Sequence, residues 1–244
     1  MKLLDCKLLD KNITRRQNHL IDSGHVGCCE IVVRQNGTKI LHKSFGCEQN
    51  LMYRLASMTK PVTAVAVLSE VQKGRLSLDD KVSKFFQGFA DQYVGMLDDK
   101  GNVVSKEKVK EEITIKRLLN HTNGLFSDIG GVGEVQGAAM TQEDRQNLTT
   151  VVNYIEHANL SFQPGEMAFY SATAAFDVAA RIVEITSGMT FHEYVDNFIM
   201  KPLGIADFTF LPSEEQWKRM SRMHCFDGKK SWYEELGKTI FEGF

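Results

Sequence analysis

Apolar and polar residues alternate over residues 28–34 (CCEIVVR) and again over 39–45 (KILHKSF), on either side of Asn36-Gly37. An Asn-Gly pair between two β-rich runs signals a hairpin, because its tight turn needs positive φ at both residues. Counting outward from the turn sets Val33 opposite Ile40 and Ile31 opposite His42. One face is then largely apolar, with Glu30 and Lys43 paired on the other. The period lengthens afterwards. From 57 to 73, Val62, Val65, Ala66 and Ser69 share a helical stripe bordered by Met58 and Leu68. Proline is tolerated only in a first helical turn, so Pro61 lets this helix start no earlier than Ala56 or Ser57, and Gly74 closes it. Residues 1–24 are polar and weakly periodic, a short helix.

From 76 to 211 the pattern is mostly helical. Ile115, Leu118 and Leu119 form a short amphipathic turn ending near Asn123-Gly124, and Pro164-Gly165 marks a turn. Residues 173–186 read as a helix with Phe176, Ala179, Ala180 and Val183 inward and Gly188 at its end. Phe191, Val195, Phe198 and Ile199 define another, stopped by Pro202 and Gly204. The tail is charged and aromatic, without a strand pattern. Three stretches result: 1–75 (helix, hairpin and the helix after it), 76–212 (mainly helical) and 213–244 (tail). A lone hairpin is marginal in water, so the sheet is under-provided and self-association through its uncovered face is expected.

Composition narrows the function. Hydrophobic residues make up 43% and charged residues 25%, which excludes a disordered or fibrous chain. Lys and Arg number 29 against 31 Asp and Glu, a net charge of −2 with no broad field for nucleic acid. Runs such as 62–68 are far below the ~18–20 apolar residues of a membrane span, and no secretory h-region can be drawn. The five cysteines include no C-x-x-C pair. They read as reduced, partly buried thiols of a cytoplasmic protein, with Cys28-Cys29 set in a strand. Asn12 and Asn36 spell glycosylation sequons that such a location leaves unused.

The chemistry concentrates in Ser57-Met58-Thr59-Lys60-Pro61. Three residues turn a helix by about 300°, returning Lys60 to the face of Ser57. A serine hydroxyl becomes a nucleophile when a neighbouring base takes its proton, and a helix N-terminus offers N–H groups to a developing oxyanion. The bland alternative is a capping serine beside a solvated lysine. Other signals are weaker. Gly131-Val132-Gly133 with Gly137 lacks the strand of a dinucleotide fingerprint. His192-Glu193 starts like a zincin motif, but Asp196 replaces the second histidine. No serine has G-x-S-x-G surroundings. No cofactor or metal is implied.

The tract Tyr53-Arg54-Leu55-Ala56-Ser57-Met58-Thr59-Lys60-Pro61 resembles the β-lactamase-related serine hydrolases: class C β-lactamases, D-alanyl carboxypeptidases and β-lactamase-like esterases. The match continues in order through Gly74-Arg75-Leu76, Leu118-Leu119-Asn120-His121-Thr122-Asn123-Gly124, Pro164-Gly165, Tyr170-Ser171, Glu184-Ile185-Thr186-Ser187-Gly188 and Pro202-Leu203-Gly204, covering residues 25–212. The resemblance implies an α+β fold, with a helical region inserted between an N-terminal antiparallel hairpin and an antiparallel sheet. It implies Ser57 as acylated nucleophile, Lys60 as its partner and Tyr170 as shared general base or acid, with His121 anchoring a loop. The expected function is a serine hydrolase working on small acyl esters through an acyl-serine. A β-lactamase or carboxypeptidase is the alternative within the class, and an inactive homologue serving as a binding or regulatory module the alternative outside it.

Two departures bear on this. Ala172 stands where the lactamases and peptidases carry an asparagine whose amide meets the substrate, which favours an ester substrate. The family's third motif and its strand are expected beyond Phe244, and Lys238-Thr239-Ile240 lacks the glycine that motif needs.

Overall fold

The computed structural model describes residues 4–99, 103–125, 144, 147–229 and 231–234. Gly131, Gly133, Gly137 and Lys238-Thr239-Ile240 lie outside these. The described residues of Met1–Arg54 and Pro212–Ile240 form one compact unit, and those of Leu55–Leu211 another.

In the first unit α1 spans Cys6–Asp22 and is longer than its weak periodicity suggests. Asp5 caps it, accepting the N–H groups of Lys7 and Leu8 at 3.0 Å each. Strands β1 (Cys29–Gln35) and β2 (Thr38–Phe45) pair antiparallel about Asn36-Gly37, where φ is 51° and 79°. The register differs from the simple count. A bulge between Val33 and Arg34 leaves Ile40 as an extra residue, so Val33 faces Leu41, Ile31 faces Lys43 and Glu30 faces Ser44. The face carrying Ile31 and Lys43 meets α1, with the Lys43 ammonium 2.5 Å from Asp10 and 3.2 Å from the Thr14 hydroxyl. On the opposite face, Glu30 accepts from the Asn50 N–H and the Tyr53 hydroxyl at 3.1 and 3.2 Å, and lies 2.5 Å from His42.

The cysteines require a correction. Cys28 and Cys47 are joined in a disulfide, Cα to Cα 5.5 Å, while Cys6, Cys29 and Cys225 remain free. Gly46, at φ 70°, turns the chain back after β2, and a Cβ there would stand 2.5 Å from the Gly27 carbonyl oxygen.

The tail is also corrected. After α7 (Glu214–Lys218), which carries a Ser213/Gln216 capping box, β5 (Met223–Phe226) and β6 (Ser231–Glu234) form an antiparallel hairpin. The Phe226 ring lies 4.5 Å from that of His25. Met52 donates to the Arg219 carbonyl and accepts from the Ser221 N–H, each at 2.8 Å, tying the tail to the chain after β2.

In the second unit α2 (Lys60–Gln72) is entered through a 3₁₀ turn, Ala56–Thr59. Its buried positions are Thr63, Ala66, Val67 and Glu70, while Val65 and Leu68 are exposed. The stripe is thus rotated from the expected one, because a carboxylate with partners is buried in place of two aliphatics. The stretch expected to be mainly helical also holds a hairpin, β3 (Tyr93–Leu97) with β4 (Val103–Lys108). Short helices α3 (Ile115–Leu119) and α4 (Leu148–Glu156) lead to α5 (Ala174–Ser187), which Gly188 stops at φ 71°. α6 (Phe191–Val195) follows and continues into a π-turn, Asp196–Met200. His192-Glu193 is a helix-surface pair there, with Glu193 closing a capping box on Thr190.

α5 is the centre of this unit. Ala174, Ala175, Val178, Ala179, Ile182 and Val183 are all buried, and α2, α3, α4 and α6 pack around it. Alanines on several faces let neighbouring helices approach closely. The first residue of α2 is thereby held against the first turn of α5. Among the described residues no helix is long and apolar enough to cross a membrane.

Candidate active site

Ser57 sits in the 3₁₀ turn ahead of α2, directly after Ala56, whose φ of 45° is unusual for a residue with a Cβ. The turn is secured by the Met58 N–H donating to the Leu55 carbonyl at 2.9 Å. Lys60, first residue of α2, donates from Nζ to Ser57 Oγ at 3.3 Å and also to the Ala172 carbonyl. The Oη of Tyr170 is 2.5 Å from Ser57 Oγ. Lys60 Nζ lies 5.0 Å from the Tyr170 ring centre and 5.3 Å from that of Phe176. The structure therefore brings Ser57, Lys60 and Tyr170 together from positions more than a hundred residues apart.

Tyr170 is aimed by its neighbours. Ser171 is buried, its hydroxyl accepts the Ala175 N–H at 3.1 Å, and its own N–H donates to His121 Nδ1 at 3.2 Å. His121, at φ 60°, also accepts the Phe169 N–H on its carbonyl at 3.0 Å and lays its ring 4.9 Å from that of Tyr170. The loop under His121 is fixed by Asn123, which donates to the Arg117 carbonyl and accepts from the Leu125 N–H at 2.7 Å.

The electrostatics follow from these contacts. The Ser57 hydroxyl and then the Lys60 ammonium hold the Tyr170 phenol below its ordinary value. Burial and the charge on Lys60 lower His121, in keeping with an Nδ1 that accepts a hydrogen bond. Ser57, Met58 and Tyr170 are exposed, so the hydroxyl pair opens to a substrate. Among the described residues no group of three or more His, Cys, Asp or Glu is placed to hold a metal ion.

Three contributors escape the motif. The Ala172 carbonyl and the Phe176 ring each engage Lys60, and Asp177, buried in the first turn of α5, feels its charge. An aspartate inside an otherwise apolar helical run is the signal for the last.

The chain is 29% identical over 209 residues to protein flp of Staphylococcus aureus strain N315, covering 82% of this chain and 38% of that protein. It is 27% identical over 196 residues to an uncharacterized protein, MT1414, of Mycobacterium tuberculosis, covering 80% and 48%. The chain thus spans less than half the length of these relatives. Its fold is similar to EstCE1, a hydrolase with promiscuous acyltransferase activity (TM-score 0.78, 20% identity, 94% of this chain and 60% of that one). It is similar also to the simvastatin synthase LovD of Aspergillus terreus (TM-score 0.72, 21% identity, 99% and 64%). A β-lactamase family model matches residues 9–234, and with the α+β fold and the motifs in order the chain belongs to the β-lactamase family.

Proposed function

We infer that the chain is an acyl-serine hydrolase, with Ser57 the nucleophile and small acyl esters its substrates. One observation carries this reading: Ser57 Oγ stands within hydrogen-bond reach of both Tyr170 Oη and Lys60 Nζ. Those two partners favour the nucleophile reading over that of a helix-capping serine. As Ser57 Oγ attacks the ester carbonyl, the Tyr170–Lys60 pair removes its proton and an Oγ–C bond forms. The Ser57 N–H, at the positive end of α2, stabilises the developing oxyanion. Collapse breaks the ester C–O bond, and the leaving alcohol takes back the proton. Water then repeats the sequence on the acyl-Ser57 and releases the acid.

Ala172 supports ester over amide. Its backbone carbonyl is engaged by Lys60, and its methyl side chain has no group to meet a substrate amide. The test is rapid mixing with p-nitrophenyl acetate. A burst of nitrophenol equal to the enzyme, followed by turnover, is expected, together with a much slower reaction with a chromogenic cephalosporin. Faster cephalosporin turnover would assign the chain to the lactamase branch. No nitrophenol release above the uncatalysed rate would leave it a binding module on a hydrolase fold.

A further inference from the structure

Holding a loop in place does not by itself call for an imidazole at His121. The backbone there has φ 60°, uncommon for a residue with a Cβ, although His and Asn tolerate it better than most. From this position the residue grips the chain on both sides of Tyr170. Its Nδ1 accepts the Ser171 N–H at 3.2 Å, and its carbonyl accepts the Phe169 N–H at 3.0 Å. Its ring lies 4.9 Å from that of Tyr170 and 5.4 Å from that of Phe176. Ser171 is fully buried, so losing the Nδ1 acceptor is costly. The charged and titratable side chains on the surrounding elements are Lys60 at the start of α2, Tyr170 itself, Asp177 in the first turn of α5 and Arg117 on α3. The Arg117 guanidinium is already engaged by Glu111 and the Glu112 carbonyl.

We propose that His121 is a positioning residue, aiming Tyr170 at Ser57 only as the neutral imidazole that carries its proton on Nε2. Resting on the acyl-serine reading, this gives His121 no proton transfer of its own, and Tyr170 still takes and returns the Ser57 proton. A proton added to Nδ1 turns the acceptor into a donor and sets two N–H groups against each other. The ring or the Ser171 peptide then moves, and the neighbouring Tyr170 hydroxyl leaves its 2.5 Å contact with Ser57 Oγ. Burial and the charge on Lys60 keep His121 below its ordinary value of 6.5, so the event lies on the acid side of neutrality. Acylation is therefore supported at neutral pH and lost as pH falls through the His121 ionisation.

Two measurements test this. In the first, wild type carrying isotope-labelled histidine is followed by nitrogen NMR as pH is lowered from neutrality, with no substrate present. At neutral pH the His121 ring is expected to carry its proton on Nε2 and none on Nδ1. The Ser171 amide and Tyr170 ring signals are expected to shift with the same midpoint as His121. A proton on Nδ1 at neutral pH, or Ser171 and Tyr170 signals indifferent to the His121 titration, would overturn the proposal. A ring that stays neutral until the chain unfolds would do so too. The second measurement compares acylation by p-nitrophenyl acetate in wild type and His121→Asn. The asparagine oxygen stands in for Nδ1 as acceptor and suits the backbone, but takes up no proton. The ratio of wild-type to variant rate cancels every pH effect the two share. It is expected to be level above the His121 ionisation and to fall about tenfold per pH unit below it. A ratio independent of pH would overturn the proposal. A chain that reacts with no ester would refute the functional reading without touching the NMR result, which also decides alone should His121→Asn fail to fold.

Discussion

The two ends of α2 hold buried carboxylates in opposite circumstances. At the C-terminal end Glu70 is fully buried and fully matched. Arg75 donates to it at 2.7 and 2.6 Å, the Tyr194 hydroxyl at 2.5 Å and Lys73 at 3.3 Å. Burial opposes its charge, but these donors prevail and hold the carboxyl down at about 2. At the N-terminal end, Asp177 across on α5 has an oxygen without a hydrogen-bond partner among the described residues, and burial raises the carboxyl to about 7. A satisfied buried charge clamps helices together. An unsatisfied one costs stability. One end of the helix is scaffold, and the other adjoins the proposed nucleophile.

Substitutions break this contrast in order of size. Tyr170→Phe removes one hydroxyl at the chemical end, and should slow acylation by p-nitrophenyl acetate about 10²–10⁴-fold while leaving the melting temperature almost unchanged. Wild-type turnover in this variant would reduce Tyr170 to a packing residue. Glu70→Gln should do the reverse. It leaves Arg75 and Lys73 facing an amide and should cost about 3 kcal/mol of stability, the low end for a broken buried pair because both cations reach solvent. Denaturant titration would show it.

The pH dependences of the two carboxyls have opposite signs. The folded value of Glu70 is depressed, so its contribution is in full force above its ordinary value of 4.5 and disappears as pH falls toward about 2. Asp177 is raised from 3.8 to about 7, so ionising it weakens the fold progressively across that interval. Asp177→Asn should therefore gain on the order of 1 kcal/mol over wild type at pH 8 and little at pH 4. Melting curves at the two pH values check it, and an equal gain at both would show that the charge on Asp177 is not what the fold resists.

How far the sequence speaks depends on whether the signal is local. Asn36-Gly37 announces β1–β2 because a turn is encoded where it forms, and Gly188 ends α5 for the same reason. The bulge at Ile40 escapes, because register is settled by the face α1 covers. The tail hairpin does carry a local signal. Asp227-Gly228 is a turn pair, with Gly228 at φ 91° and Asp227 accepting the Lys229 N–H at 2.9 Å, but the charged residues around it mask the strands. β4, with Lys106, Glu107 and Lys108 exposed along it, is hidden likewise. The disulfide escapes because the bridged residues lie nineteen apart and meet only through the hairpin. The positions of Ser57 and Lys60 follow from helical spacing, and that of Tyr170 from the resemblance. The part played by Ala172 does not, because a carbonyl acceptor is common to every residue type.

The central claim is that Ser57 is the nucleophile, and intact-mass spectrometry with a fluorophosphonate tests it most directly. The account predicts a single phosphonyl adduct, mapped to the peptide carrying Ser57, absent in Ser57→Ala and formed far more slowly in Lys60→Met. Undiminished labelling of Ser57→Ala, or an adduct mapping to another residue in the wild type, would contradict it.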